Sequence, residues 1–181
     1  HSAVVCINSR PRSLHSLLSL RRSGDLAASG DLSLLSPREL LPLVGLPPQE
    51  PTELRGGRNN LGCWRADCWA LKLVDGTCDD IALHDRLQTD RALYERLLAD
   101  PGVSVPVRRH DQGGKSLFLL PFAPGERFDL WIAKRLARGQ VADVARALEG
   151  CGRALKRYHE QYGRQHNDMQ PTNVIYNDTN T

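Results

Sequence analysis

The 181-residue chain has no apolar run that approaches the ~20 residues a membrane span needs. It has no CxxC pair and no His/Cys group at zinc-finger spacing, which sets aside the small zinc folds. The five cysteines, Cys6, Cys63, Cys68, Cys78 and Cys151, form an odd, scattered set. They read as reduced thiols of a cytosolic or nuclear protein, with a Cys63–Cys68 bridge across a hairpin as the alternative. Aromatics are only 6% of the residues and do not interleave with the basic pairs Arg21-Arg22 and Arg108-Arg109, and the net charge is only +3. A nucleic-acid surface is therefore not indicated. There is no internal repeat and no low-complexity tract. The first 23 residues lack any acid but hold four arginines and many serines and leucines. That composition fits a transit peptide. It also fits an amphipathic helix with Leu14, Leu17 and Leu18 on one side, and a structured extension of a cytoplasmic protein is the preferred expectation.

What is present is an ordinary globular composition, 40% apolar and 25% charged, long enough for one large domain or two small lobes. Residues 1–50 read as a helical preface. Ser36-Pro37-Arg38-Glu39 is a capping box with proline at the first helical position. It opens a short helix through Leu40, Leu41 and Val44, ended by Gly45 and Pro47-Pro48. From Glu53 the pattern turns to strands. Cys68 to Val74 reads as a strand closed by the turn Asp75-Gly76, with Trp69, Leu71 and Leu73 on one face and Ala70, Lys72 and Val74 on the other. A lysine between two small apolar residues is odd for a solvent face and suggests a side chain pointing into a cleft.

Asp79 to Leu98 is expected as one helix, stopped by Asp100-Pro101-Gly102. Strands are expected at Val103–Val107 and Ser116–Leu120, around the turn Asp111-Gln112-Gly113-Gly114. Pro121-Phe122-Ala123-Pro124-Gly125 is a stiff connector. Helices follow at Phe128–Ala137 and Val141–Gln161, the second with a stripe of Val141, Val144, Ala145, Leu148, Cys151, Leu155 and Tyr158 and a cap at Gly163. Strands, helix, strands, connector, then helices describe a small sheet lobe and a helical lobe with a cleft between them. The expected class is α+β.

The segment after the last helix carries the chemistry. His166-Asn167-Asp168-Met169-Gln170-Pro171-Thr172-Asn173 fits the kinase catalytic-loop pattern H-x-D-x-x-x-x-N. Phosphoryl transfer needs charge placed around the phosphates and a carboxylate near the attacking hydroxyl. With the Ala70-Leu71-Lys72 strand upstream, the chain resembles the protein-kinase-like superfamily from about Glu53 to Thr181. Its H-N-D loop and its Gly56-Gly57-Arg58-Asn59-Asn60 turn are closest to choline and ethanolamine kinases and aminoglycoside phosphotransferases.

That resemblance implies a two-lobed kinase-like fold: a helical N-terminal extension at 1–50, an N-lobe at 51–122 and a partial C-lobe at 123–181. It implies ATP and Mg²⁺ as cofactors and a hydroxyl-bearing acceptor as partner. Asp168 would take or orient the acceptor's proton, Asn173 would ligate Mg²⁺, and His166 would brace the loop. Lys72 would meet the α- and β-phosphates and Ala70 would roof the adenine. Asp90, or else Glu95, would hold Lys72. Gly56, Gly57 and Asn60 would turn backbone N–H groups toward the phosphates. Ala123 would be the hinge residue that meets adenine, with Leu120 behind it.

The chain departs from the pattern in two ways. Asn167 and Gln170 stand where protein kinases carry arginine and lysine, which tilts the expectation to a small-molecule acceptor and leaves an atypical protein kinase open. The sequence also stops eight residues after Asn173, before any second metal-binding aspartate, and Asp178 falls in a turn-like stretch. A fragment or a degenerate, scaffold-type relative is then expected, weak in Mg·ATP binding, with a partner or further segment covering the helical lobe. A mixed α/β domain without nucleotide is the remaining alternative.

Overall fold

The computed structural model describes residues 4–7, 30–54, 60–100, 102–163 and 169–177. Their elements run β1 (Val4–Ile7), α1 (Pro37–Leu43), β2 (Thr52–Glu53), β3 (Asn60–Ala66), β4 (Trp69–Asp75), α2 (Asp79–Thr89) and α3 (Arg91–Ala99). They continue with β5 (Val103–Ser104), β6 (Arg108–Gln112), β7 (Lys115–Pro121), β8 (Glu126–Arg127), α4 (Phe128–Ala137), α5 (Val141–Tyr162) and β9 (Val174–Tyr176). The fold class is α+β. Among the described residues, no helix is long and apolar enough to cross a membrane. The chain divides into two units: residues 13–89 with 105–122, and residues 1–12, 90–104 and 123–181.

The first unit is built on an antiparallel sheet in the order β2-β3-β4-β7-β6. Central β4 alternates as its sequence dictates. Trp69, Leu71 and Leu73 are buried on one face beside Leu117 and Leu119 of β7. That face is closed by Leu32, Leu40, Leu41, Leu43, Val44 and Leu46. Residues 32–46 therefore share the core of the sheet, and the boundary expected at residue 50 separates no two cores. α1 forms where the capping signal places it, the Glu39 carboxylate accepting from the Ser36 N–H at 2.8 Å and from its hydroxyl at 2.6 Å. The β6–β7 turn pins the start of this segment. Lys115 pairs with Asp31 at 2.7 Å, and Gln112 donates to the Gly30 carbonyl at 2.5 Å. Gly113 and Gly114, with φ of 59° and 72°, supply the left-handed pair that a two-residue hairpin turn requires.

Two expectations need correction here. Val103–Val107 is not the strand beside β7: Val103–Ser104 pairs with β1, and the partner of β7 is Arg108–Gln112. Pro106 lies at the break and has no N–H to give a ladder. The helix expected over Asp79–Leu98 is two helices broken at Asp90. That residue leaves helical geometry and its carboxylate accepts from the Leu93 N–H at 3.1 Å, making it the N-cap of α3.

The second unit packs α4 and α5 with a sheet in the order β5-β1-β9-β8. Val4–Ile7, expected in a helical preface, is a strand parallel to β9, while Leu14, Leu17 and Leu18 lie outside the described residues. Phe128, Trp131, Val144, Ala147 and Val174 form its core, with Cys151 and Ala154 packed against it. The buried stripe of α5 thus runs Val144, Ala147, Cys151, Ala154. It is rotated from the expected one, whose members Val141 and Leu148 are exposed. Gly163 ends α5 in the left-handed conformation, φ 61°, its N–H returning to the His159 carbonyl at 2.9 Å.

Candidate functional site

The second face of the first unit's sheet carries a row of four residues, one per strand. Cys63 of β3 stands opposite Lys72 of β4, Lys72 opposite Phe118 of β7, and Phe118 opposite Arg109 of β6. Helix α2 lies across that row and meets each of the last three in turn. Asp80 takes Lys72 in an ion pair. The His84 ring rests on Phe118 with centroids 5.8 Å apart. Asp85 takes Arg109 at 2.7 Å, and Asp111 holds the same guanidinium at 2.6 Å. Below the helix, Val74, Phe118 and Leu120 are buried, with Ala70, Cys78 and Ile81 against them.

The Lys72–Asp80 pair is the unusual feature of this face. The Asp80 side chain is 5% exposed and that of Lys72 is 19% exposed, so the carboxylate is sequestered while the ammonium keeps a path to solvent. The Cys78 thiol donates to the same Asp80 oxygen, Oδ2, at 3.4 Å. The other oxygen, Oδ1, is buried with no hydrogen-bond partner. Burial pushes the Cys78 and Cys63 thiols up, with Lys72 opposing the effect at both, so both remain S–H groups at neutral pH. Cys63, Cys68, Cys78 and Cys151 are free thiols, and no Cys63–Cys68 bridge forms. Burial, and then the Arg109 cation, push the His84 imidazole down. Chemically, the arrangement is one fixed ammonium whose counter-ion is buried behind it. Such a group can be offered to an anion without first being ordered.

The expected site residues fall as follows. Lys72 lies on a central strand and is paired, but with Asp80. Asp90 is the cap of α3, and Glu95 is exposed and paired with Arg91 at 2.7 Å. The expected Lys72 partner is thus corrected to Asp80. The reason is physical: a short polar side chain at a helix start satisfies the open N–H groups nearest to it. Asp80 had a signal in the sequence, since it lies seven residues before the buried Leu87 and so shares its helical stripe. An acid on an apolar stripe needs a partner.

Ala70 is half-buried opposite Leu120, which is buried. Asn60 begins β3 opposite Val74, where the ladder is irregular. Phe122 is held in the first unit by its N–H to the Cys68 carbonyl at 2.8 Å and by the Arg65 guanidinium 4.3 Å above its ring. Ala123 is the first residue assigned to the second unit after residues 105–122 of the first. Asn173 is half-buried and ends a single 3-10 turn from Pro171, its N–H returning to the Gln170 carbonyl at 2.8 Å. Gly56, Gly57, His166 and Asp168 lie outside the described residues. Among the described residues, no group of three or more His, Cys, Asp or Glu side chains is arranged to hold a metal ion. No family model, no curated protein and no solved structure matches the chain.

Proposed function

We propose that the chain is an ATP-dependent phosphotransferase of the protein-kinase-like superfamily that acts on a hydroxyl of a small molecule. The observation that carries this reading is the Lys72–Asp80 pair on a central strand, in a chain that also spaces His166, Asp168 and Asn173 as H-x-D-x-x-x-x-N. In this reading Lys72 meets the nucleotide phosphates, and Asp80 takes the supporting role first expected of Asp90. Ala70 and Leu120, side by side on the face that carries Lys72, provide a small apolar step for the adenine. The order is suitable: a flat apolar surface, then a cation two residues along the strand.

Asn173 would contribute a side-chain oxygen to Mg²⁺, and the Gly56-Gly57 turn and Asn60 would present backbone N–H groups to phosphate. Bound Mg·ATP would supply the phosphoryl group. Asp168 would accept the proton that leaves the acceptor hydroxyl. Asn167 and Gln170 favour the small-molecule acceptor over a protein one. The test is Mg²⁺-dependent ADP production across a panel of small hydroxyl-bearing acceptors. Asp168→Ala is expected to lower turnover by about 10²–10⁴-fold, the usual worth of a positioned base. Unchanged turnover in that variant would remove Asp168 from the mechanism.

A further inference from the structure

Helix α2 meets the row on the sheet through Asp80, His84 and Asp85. Of these three, His84 alone has an ordinary pKa close to neutral pH. Its side chain is 12% exposed, and its ring lies on Phe118, which is fully buried. The site suits the neutral ring and not the charged one. Nδ1 is buried with no hydrogen-bond partner. Asp85 Oδ1 is 3.9 Å away, beyond hydrogen-bond reach, and binds Arg109 at 2.7 Å. Nε2 lies 3.3 Å from the Gln88 amide nitrogen, a donor that a neutral ring can accept from and an imidazolium cannot. The charged groups facing the ring are Arg109 and Asp111 from β6 and Asp85 from α2 itself. Strand β4 brings Lys72, which is tied to Asp80. Both carboxylates beside the ring are engaged by Arg109, Asp111 also by the Ser116 hydroxyl at 2.6 Å. The Arg109 guanidinium stands 6.0 Å from the centre of the same Phe118 ring. Burial, and then Arg109, hold the imidazole below its ordinary 6.5 against the opposing pull of Asp85 and Asp111.

We propose that His84 is an acid-sensitive clasp: it seats α2 on the sheet only as the neutral ring, so acidification loosens that helix. A value lowered in the docked form means that the undocked chain binds the proton first. The docked form is then favoured in full above about pH 6.5. Below that it loses up to about tenfold in its equilibrium constant per pH unit, until the docked ring is protonated as well. Because α2 carries Asp80, the counter-ion of Lys72, the same acidification would weaken the phosphate site. That consequence rests on the proposed phosphotransferase function. The clasp itself does not.

The test therefore uses the full chain without nucleotide. Cys78 immediately precedes α2 and packs against Val74, Phe118 and Leu120, whereas Cys68 is exposed. Both thiols are labelled with an aromatic disulfide, a reagent that stays active in acid, and their ratio is read by mass spectrometry. Taking the ratio cancels the ordinary fall of thiol reactivity with pH. Between about pH 7.5 and pH 5.5 the Cys78-to-Cys68 ratio is expected to rise about three- to tenfold in the parent. His84→Phe keeps a ring on Phe118 but binds no proton, and its ratio is expected to change by less than about twofold. A parental ratio that does not move, or an equal rise in the variant, overturns the proposal. The unaltered protein gives an independent reading by NMR titration. The His84 ring should still be mostly neutral at about pH 6, where an ordinary histidine is mostly charged. A His84 midpoint at or above about 6.5 overturns the proposal. Absence of Mg·ATP binding with these results intact would remove the phosphotransferase reading alone.

Discussion

Removing one charge of the Lys72–Asp80 pair should cost more on one side than on the other. Lys72→Met leaves a carboxylate that is 5% exposed and has lost its cation, with the weak Cys78 thiol still donating to it. Breaking a buried pair in this way costs about 3–5 kcal/mol. Asp80→Asn leaves an ammonium that is 19% exposed and able to reach water, with an amide oxygen still beside it. That substitution should cost only about 1–3 kcal/mol. In Lys72→Met/Asp80→Asn no charge is stranded, so the double variant should be no less stable than Lys72→Met alone. The coupling energy of the cycle is then at least the cost of Asp80→Asn, about 1–3 kcal/mol. Urea unfolding measures it. With a slope of about 2 kcal/mol/M, Lys72→Met should move the midpoint down by about 1.5–2.5 M. Free energies that add within about 0.5 kcal/mol would show that the two groups do not depend on each other and would refute the reasoning.

Two further outcomes follow from the fold. Leu41 is fully buried between α1 and the sheet, whereas Leu34 is 83% exposed. Leu41→Ala should cost about 2–5 kcal/mol in chemical unfolding and Leu34→Ala less than about 0.5 kcal/mol. Equal, small effects would mean that residues 32–46 are an appendage. The Asp31 carboxyl is held down from 3.8 to about 2, chiefly by the Lys115 ammonium and then by the Ser33 N–H. A depressed folded-state pKa stabilises fully above the unfolded value, and the contribution is lost as pH falls through the folded one. The melting temperature of Asp31→Asn should therefore change less than that of the parent between about pH 4 and pH 2. Parallel curves would contradict the Asp31–Lys115 contact.

The features legible in the sequence are those decided locally. The alternation of β4, the capping signal at Ser36–Glu39, the glycine turn at Gly113-Gly114 and the cap at Gly163 all need only neighbours in the chain. The failures lie where two local options compete or where the partner is distant. Asp90 was open to a helix-face role or a capping role, and the cap at Leu93 wins because its donors are adjacent. Val103 pairs with a strand almost a hundred residues upstream, which no hairpin pattern announces. The stripe of α5 contains apolar residues on both flanks, and only the contacts with Phe128, Trp131 and Val174 decide which flank is buried.

The candidate site was legible in part for the same reason. Lys72 declares itself by sitting between Ala70 and Val74, but its partner is chosen by how α2 crosses the sheet. Asp80 and His84 become readable only when the row Lys72, Phe118, Arg109 is known.

The central claim is that Lys72, backed by Asp80, receives the phosphates of a nucleotide. Calorimetric titration of the full chain with Mg²⁺ and a non-hydrolysable ATP analogue tests it most directly, with Lys72→Met as the comparison. The account predicts binding by the parent and an affinity lower by about 10–100-fold in the variant, the scale of a charge-assisted contact. No binding by the parent, or equal affinity in the two proteins, would contradict it.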